Sequence, residues 1–301
     1  MTDDPYLWDR SEPVDAEIER IEQTLKPLRH TPRPLVYSRP WRRLAIAAVI
    51  ALVAGTSWLL VRGEAAGLPV EAVTGTATID GIPIRGGARL SVGSWLESAA
   101  DAAVEVRVGD IGFVTVRGDT RLGLVESRAG SVQRLQLDRG RIEALITAPP
   151  RLFLVNTPSA VAVDLGCAYE LAVDETGDGL LEVTLGWVAL ERGTSVVTVP
   201  AGASCRLYGD GPGIPWFNDA APQLQVALDR FEIQTVLDAS RPRDSLTLWH
   251  LLERVEDASR PAVIARLADL VGMPPGVTAE GVARLDRSML DRWWDDIELD
   301  W

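Results

Sequence analysis

The sequence contains one uncharged apolar run of 18 residues, at positions 44–61. A helix of that length rises about 27 Å, close to the ~30 Å hydrocarbon core of a bilayer. Trp41-Arg42-Arg43 precede the run and Arg62 follows it, and such aromatic and basic flanks are typical of membrane spans. A buried helix of a soluble domain is the alternative, but soluble helices rarely stay uncharged for so long. The run therefore predicts a single transmembrane helix.

Charge on the two flanks predicts the orientation of this span. Residues 26–43 contain six basic side chains and no acidic one, whereas Arg62 is soon followed by Glu64. Because positive charge is retained in the cytoplasm, we expect an inner-membrane protein with residues 1–43 cytoplasmic and the C-terminal domains periplasmic. A cleaved signal peptide is the alternative, although about forty residues before the apolar run are unusually many for one.

The charge of the whole chain limits the kinds of partner. Its net charge is −13, and the first 43 residues carry eight acidic and eight basic side chains. The entire negative excess therefore lies beyond the predicted span. An acidic exterior argues against nucleic-acid binding and against docking on anionic lipid. Proteins are the partners that we expect.

The cytoplasmic segment contains one amphipathic pattern, from about residue 15 to residue 28. Its apolar residues recur at three- and four-residue steps and so share one face of a helix: Ile18, Ile21, Leu25 and Leu28. A single helix cannot bury its own stripe, so this face needs a protein partner, another copy or the bilayer surface. The prolines that follow, within residues 27–40, predict an extended basic linker.

Residues 70–210 change to a period of two, which is typical of half-buried strands. Two clear apolar sets are Val104, Val106, Val108 and Leu181, Val183, Leu185. Asp-Gly and Gly-Gly turn signals separate the short runs. The stretch predicts a mostly β, antiparallel domain, with a sandwich, a barrel or a solenoid as the open alternatives.

Residues 219–301 return to helical patterns after a linker rich in Gly and Pro. Three helices are predicted to begin near Asp244, Pro261 and Thr278. They predict a small α-helical module that packs on the β-domain or on a partner. The tryptophans near the end either pack the core of this module or form a docking tail: Trp293, Trp294 and Trp301.

The two cysteines, Cys167 and Cys205, both lie on the predicted periplasmic side. An oxidising compartment would allow one disulfide between them. Two separate buried thiols are the alternative, because free cysteine is among the most buried residue types.

No catalytic, cofactor or metal site emerges from the sequence. Residues 174–179 imitate the start of a calcium loop, but position twelve of that loop is Leu185 instead of an acid, so a hairpin turn is expected. The histidines, His30 and His250, fall on opposite sides of the predicted membrane, which disfavours zinc. A G-x-S-x-G nucleophile motif and phosphate-binding loops are absent from the sequence. We therefore expect no enzyme.

A series of short motifs runs through the β-region in a fixed order. They are Gly93-Ser94-Trp95-Leu96, Gly118-Asp119-Thr120-Arg121-Leu122, Leu135-Gln136-Leu137, Gly140-Arg141-Ile142, Phe153-Leu154-Val155-Asn156-Thr157-Pro158, Leu181-Glu182-Val183, Gly186-Trp187-Val188 and Val199-Pro200-Ala201-Gly202. In this order the region resembles a FecR domain, the periplasmic module of FecR-like single-pass membrane regulators.

The resemblance implies a signal relay across the inner membrane. In FecR-like proteins the outer module senses an outer-membrane receptor, and the cytoplasmic end controls an extracytoplasmic-function sigma factor. The first hypothesis is accordingly a membrane-anchored sensor with an envelope protein as its outer partner and a sigma factor as its inner one. The second is an anchored envelope structural or interaction protein without transmembrane signalling. The chain departs from the family in its shorter cytoplasmic segment and in the helices beyond Pro215.

Overall fold

A computed structural model of the protein describes residues 16–28, 67–128 and 130–298. The chain divides into two compact units, Met1–Gly63 and Glu64–Trp301, which are described separately. The predicted span at residues 44–61, residues 29–40 of the predicted linker and Trp301 lie outside the described residues. Within the described ranges, no helix is both long and apolar enough to cross a membrane.

The described part of the first unit is a short helix. Helix α1 (Ala16–Leu25) continues into a 3₁₀ turn, Lys26–Leu28, which confirms the helix predicted over residues 15–28. Glu17 and Glu19 lie in its first turn, where the positive end of the helix dipole favours acidic side chains.

The second unit begins with eighteen β-strands. Their bounds are β1 (Gly67–Thr74), β2 (Ala77–Ile79), β3 (Ile82–Pro83), β4 (Arg89–Ser91), β5 (Trp95–Ser98), β6 (Ala103–Val108), β7 (Gly112–Val116), β8 (Arg121–Ser127), β9 (Gln133–Ile146), β10 (Phe153–Asn156), β11 (Val161–Asp164), β12 (Ala168–Val173), β13 (Gly179–Leu185), β14 (Trp187–Arg192), β15 (Ser195–Pro200), β16 (Ala203–Tyr208), β17 (Gly211–Pro212) and β18 (Trp216–Phe217).

These strands form two sheets around one core. Sheet I has the order β1-β6-β7-β9-β12-β13-β16, with β17 and β18 both paired to β16. Sheet II has the order β3-β2-β5-β8-β9-β10-β11-β14-β15, and β4 pairs with the start of β1. Inward side chains of both sheets belong to one hydrophobic cluster. The prediction of a mostly antiparallel β-domain is confirmed. The two connected sheets and the core between them are called the sandwich below.

Strand β9 belongs to both sheets. Its first half pairs with β8 and β10, and its second half pairs with β7 and β12. Gly140 stands at the crossing with a φ of 96°, and a Cβ there would lie 2.4 Å from the Cα of Thr120. Only glycine fits this crossing, because a side chain would meet the neighbouring backbone in a left-handed conformation.

One pair of strands runs parallel, contrary to the antiparallel prediction. Phe153 of β10 is opposite Gln133 of β9 in a parallel register. The second half of β9 belongs to sheet I. After β9 the chain returns to the beginning of that strand, so β10 runs beside the first half of β9 in the same direction.

Burial alternates along β6 and β13 as the period of two predicted, except at Leu185. Strands β10, β11 and β14 instead bury three consecutive residues each. Val104, Val106 and Val108 are buried, and so are Leu181 and Val183. Leu185 is 61% exposed, although its position was predicted to face the core. The pairing of β12 with β13 shifts register between Ala168 and Tyr169, and such a bulge reverses the facing of the residues beyond it.

Six helices follow the strands in the described part of the chain. They are α2 (Pro222–Asp229), α3 (Ile233–Ala239), α4 (Ser245–Leu252), α5 (Arg260–Val271), α6 (Ala279–Ala283) and α7 (Arg287–Ile297). The helices predicted near Asp244 and Pro261 are α4 and α5. Asp244 precedes α4 as predicted, but its carboxylate accepts from the backbone nitrogen of Arg241 and makes no cap bond to the helix.

The third predicted helix is two helices. The Thr278 hydroxyl caps α6 by accepting from the nitrogen of Gly281, as expected. Leu285 then adopts a φ of 57° and ends that helix, and the Asp286 side chain caps α7. Trp293 is fully buried in the helical core, so the core alternative holds for this tryptophan.

Helix α4 joins the helices to the β-sandwich. All eight of its residues are buried. Leu246 belongs to the core of the sandwich, whereas Leu248 and Leu251 belong to the helical core. The Thr247 hydroxyl donates to the carbonyl of Pro215 at 2.8 Å. The C-terminal helices therefore pack on the β-domain.

Candidate functional site

The predicted partner face lies on helix α1 and on the 3₁₀ turn that follows it. Its four apolar residues are between 52% and 76% exposed: Ile18, Ile21, Leu25 and Leu28. No residue of this helix is buried in the described part of the first unit. The face is a solvent-exposed apolar stripe on a short helix, which is a form in which helices dock into grooves of other proteins.

The two cysteines lie far apart in sheet I. Cys167 directly precedes β12, and Cys205 on β16 is opposite Leu181, which is itself opposite Leu171 of β12. Two strand spacings and four residues along the strands separate them, or roughly 16 Å at ~4.8 Å and ~3.3 Å each. A disulfide requires Cα atoms within about 7 Å. Both cysteines are free and buried, so the structure has separate thiols and not the disulfide.

Each thiol has its own buried environment. The Cys167 thiol donates to the carboxylate of Asp164, and burial raises the pKa of Cys167 well above its usual range. Burial likewise raises the pKa of the Cys205 thiol to about 12. Because only thiolates are nucleophilic, both side chains are inert at neutral pH and serve packing.

The calcium-like stretch is a hairpin turn between β12 and β13. The carboxylate of Asp174 accepts from the backbone nitrogens of Thr176 and Asp178 at 2.8 Å and 3.1 Å. The same oxygen, Oδ1, also accepts from the Thr176 hydroxyl at 2.6 Å, and this bond, followed by the backbone donors of the turn, lowers the pKa of Asp174. Among the described residues, no group of three or more His, Cys, Asp or Glu side chains is placed to hold a metal ion.

Charged side chains cover the middle of the outer face of sheet I. Arg117 and Glu143 form a two-pronged pair, with both nitrogen–oxygen distances 2.7 Å, and this bond raises the pKa of Arg117. Arg141 pairs with Glu170 at 3.2 Å. An open groove of about 800 Å³ lies over Arg117 and Arg141 and reaches Tyr208. Since carboxylates already neutralise both arginines, the groove is a paired polar surface and not a preformed anion site.

His250 is the buried titratable group of helix α4. Its imidazole bonds to the backbone of Thr198 on β15, and it packs edge-on against Trp249 and Trp294. Its Nε2 atom has no partner within the described part of the chain. Burial lowers the pKa of His250 to about 3, so the ring is neutral at physiological pH. Its contacts tie the helices to the edge strand β15.

The sequence predicted one of these surfaces and missed the other. The stripe on α1 is visible in the sequence, because helical neighbours are three and four residues apart. The outer face of sheet I combines residues from strands distant in sequence. Its composition becomes visible only when the register of the strands is known.

Comparison with a family model identifies the central part of the sandwich. Residues 95–203 match the family described as FecR protein. The matched range extends from the first residue of β5 to the first residue of β16, and the match confirms the resemblance seen in the sequence. It does not include α1 or the C-terminal helices.

Two solved structures are weakly similar to part of this chain. Both are crystal structures of a "putative anti-sigma factor" from Parabacteroides distasonis, each 16% identical and covering 44% of this chain. The aligned part spans 64% and 62% of those chains, less than two thirds of their length, with TM-scores of 0.37 and 0.36. Similarity this low says nothing about what this chain binds. Among curated proteins, no sequence matches.

Proposed function

We propose, from the premise that this chain carries a FecR domain at residues 95–203, that it is a single-pass membrane regulator. Residues 1–43 bind a cytoplasmic partner, an extracytoplasmic-function sigma factor, through the apolar face of α1. The FecR domain, outside the membrane, senses an envelope protein. The observation that carries the proposal is the exposed stripe on α1.

The stripe needs an apolar cover on energetic grounds, which the proposed protein partner would provide. A helix of ten residues is marginal in water, because isolated helices need roughly 12–15 residues even with good helix formers. Covering each half-exposed Ile or Leu would stabilise the helix by roughly 1 kcal/mol. Four such residues on one face therefore supply the energy that the helix lacks by itself. The helix and its complex would form together.

Charge supports the proposed location. Six basic residues and no acidic residue occupy positions 26–43, and the acidic excess lies beyond the apolar run at 44–61. Retention of positive charge in the cytoplasm would place α1 inside and the FecR domain in the periplasm. Inner-membrane anchoring belongs to the proposal and follows from the sequence pattern.

Co-purification of the detergent-solubilised full chain with each extracytoplasmic-function sigma factor of the source genome tests the inner partner. We expect one of them to be recovered, and Ile21→Asp or Leu25→Asp to reduce that recovery at least tenfold, since a buried carboxylate opposes docking. The matched control is Gln23→Asp, which adds the same charge on the opposite face of the helix. Equal recovery with all three variants would show that α1 is not the output.

Exchange of residues 1–40 for an unrelated soluble tag separates the two function hypotheses. The regulatory proposal requires that a reporter of the sigma factor's target promoter no longer responds to the chain after the exchange. An unchanged response would favour the anchored envelope protein that signals nothing across the membrane.

A further inference from the structure

An apolar row crosses the outer face of sheet I. Phe113 on β7 is opposite Leu145 on β9, which is opposite Ala168 on β12, which is opposite Leu185 on β13. Phe113, Leu145 and Leu185 are 38%, 52% and 61% exposed. We call Phe113, Leu145, Ala168 and Leu185 the apolar row. It spans three strand spacings, or roughly 14 Å.

The apolar row is unusual for a sandwich. The outer face of an antiparallel sheet is normally polar, because only its inner face packs on the core. Leu185 reaches this face through the register shift at Ala168, which gives up a core position. Three large, partly exposed apolar side chains therefore share one row of four strands, and clustered exposed apolar side chains mark interaction sites.

An acidic row runs parallel to the apolar row on the same face of sheet I. It lies two residues away from the apolar row along β7, β9 and β12. It consists of Glu105, Thr115, Glu143, Glu170 and Glu182, each opposite the next. The middle carboxylates are neutralised by Arg117 and Arg141. Within the described part of the chain, the two outer carboxylates, Glu105 and Glu182, have no ion pair. Arg107 lies over the Phe113 ring at one end of the row, but it is paired with Glu71 at 2.7 Å. The unpaired carboxylates of Glu105 and Glu182 therefore leave net negative charge at both ends of the apolar row.

We propose that the apolar row and its flanking carboxylates dock a basic amphipathic helix of a partner protein. A helix lying across the strands repeats every ~5.4 Å, close to the ~4.8 Å spacing of the strands. One apolar residue per turn would then meet each strand of the row. Lysine or arginine on one side of that helix would meet Glu105 and Glu182. The proposal rests on the proposed sensing function, since it names the partner class of the FecR domain.

Charge favours such a partner over the other occupants. A second copy brings the same carboxylates on a chain of net charge −13, which opposes self-association. Anionic lipid is repelled for the same reason. Helix α1 is a poor occupant because its own first turn is acidic. A basic helix alone satisfies both the apolar row and the carboxylates.

A designed peptide tests the proposal. The probe is a 14-residue helix with Leu at positions 1, 5, 8 and 12 and Lys along one side, and the matched peptide carries Glu in place of each Lys. Fluorescence anisotropy against the detergent-solubilised full chain should show micromolar binding of the Lys peptide, at least tenfold tighter than the Glu peptide. Absent binding, or equal binding of the two peptides, would overturn the proposal.

Variants locate the site. Leu145→Asp and Leu185→Asp should each weaken binding of the Lys peptide at least tenfold, and Glu105→Lys combined with Glu182→Lys should weaken it about fivefold. Val125→Asp is the matched control, because Val125 is 45% exposed on β8 of sheet II, and it should leave binding unchanged. Similar losses in all variants would place the peptide elsewhere.

Two further results would overturn the proposal in favour of another occupant. Sedimentation that shows a dimer dissociated by Leu145→Asp would assign the row to a second copy. Binding to anionic vesicles that is lost in the same variant would assign it to a membrane. None of these variants lies in α1, so failure of the sigma-factor experiment and failure of this one are distinguishable.

Discussion

Helices α1 and α4 have similar lengths and opposite surroundings. No residue of α1 is buried, whereas all eight residues of α4 are buried. Apolar residues occupy one stripe of α1 but surround α4, because the sandwich packs on one side of α4 and the helical core on the other. The pattern of apolar residues on a helix thus indicates how many sides need a partner. Only α4 finds its partners within the described chain.

The largest loss of stability is expected when a buried side chain of α4 is shortened. Leu251→Ala should lower the free energy of unfolding by about 2–5 kcal/mol, because it leaves a cavity beneath a fully buried side chain. Urea unfolding of the purified full chain, followed by tryptophan fluorescence, measures the change. A loss below about 0.5 kcal/mol, the usual range of a surface substitution, would contradict the burial of this helix.

The second-largest change in stability is expected on acidification. The pKa of His250 is lowered from 6.5 to about 3 in the fold, so the unfolded chain binds this proton first as pH falls. Stability is therefore full above pH ~6.5 and falls progressively towards pH 3, by about 3 kcal/mol between pH 7 and pH 4. His250→Asn, which cannot titrate, should remove this part of the pH dependence. An unchanged profile in the variant would show that the ring is not buried.

The residues that follow α2 and α6 extend the comparison between exposed and buried side chains, with a smaller expected effect. Phe231 and Leu285 both follow a helix with positive φ, 55° and 57°, where glycine is favoured. Leu285 packs against the helical core, but Phe231 is 49% exposed. Phe231→Gly should therefore stabilise the fold by about 1 kcal/mol, because it removes strain without losing much packing.

Leu285→Gly is the matched variant for that measurement. It should not stabilise the chain, since the lost contacts offset the relieved backbone strain. Thermal unfolding of the two variants side by side compares them. Equal stabilisation by both would show that packing of Leu285 contributes nothing.

The smallest effect on stability is expected in α1. Leu25→Ala should change the free energy of unfolding of the second unit by less than about 0.5 kcal/mol, the usual range of an exposed substitution. The same urea titration as for Leu251→Ala provides the measurement. A loss as large as that of Leu251→Ala would mean that α1 is buried against the fold, and the comparison between the helices would fail.

Features that depend on neighbours in sequence were predictable. The stripe of α1, the buried alternation of Val104, Val106 and Val108, and the Thr278 cap all follow from spacings of two to four residues. Helices α2 and α3 were missed, since each has only two buried residues to form a pattern. Local periodicity predicts an element when that element buries a regular face.

Features that depend on register were not predictable. The exposure of Leu185 follows from a shift in the pairing of β12 with β13, and the parallel pairing of Phe153 follows from the path of β9. The separation of Cys167 from Cys205 also requires the strand order. The candidate surface on sheet I was missed for the same reason, because its residues meet only across strands.

The shared strand β9 has a consequence for folding cooperativity. Its backbone hydrogen bonds serve β8 and β10 in one half and β7 and β12 in the other. Neither sheet can open fully without breaking a segment that the other sheet holds. Amides of β9 should therefore exchange with deuterium only through global unfolding, and later than those of the edge strand β3. A displacement of one sheet would therefore be transmitted to the other through the backbone of β9 as well as through the shared core.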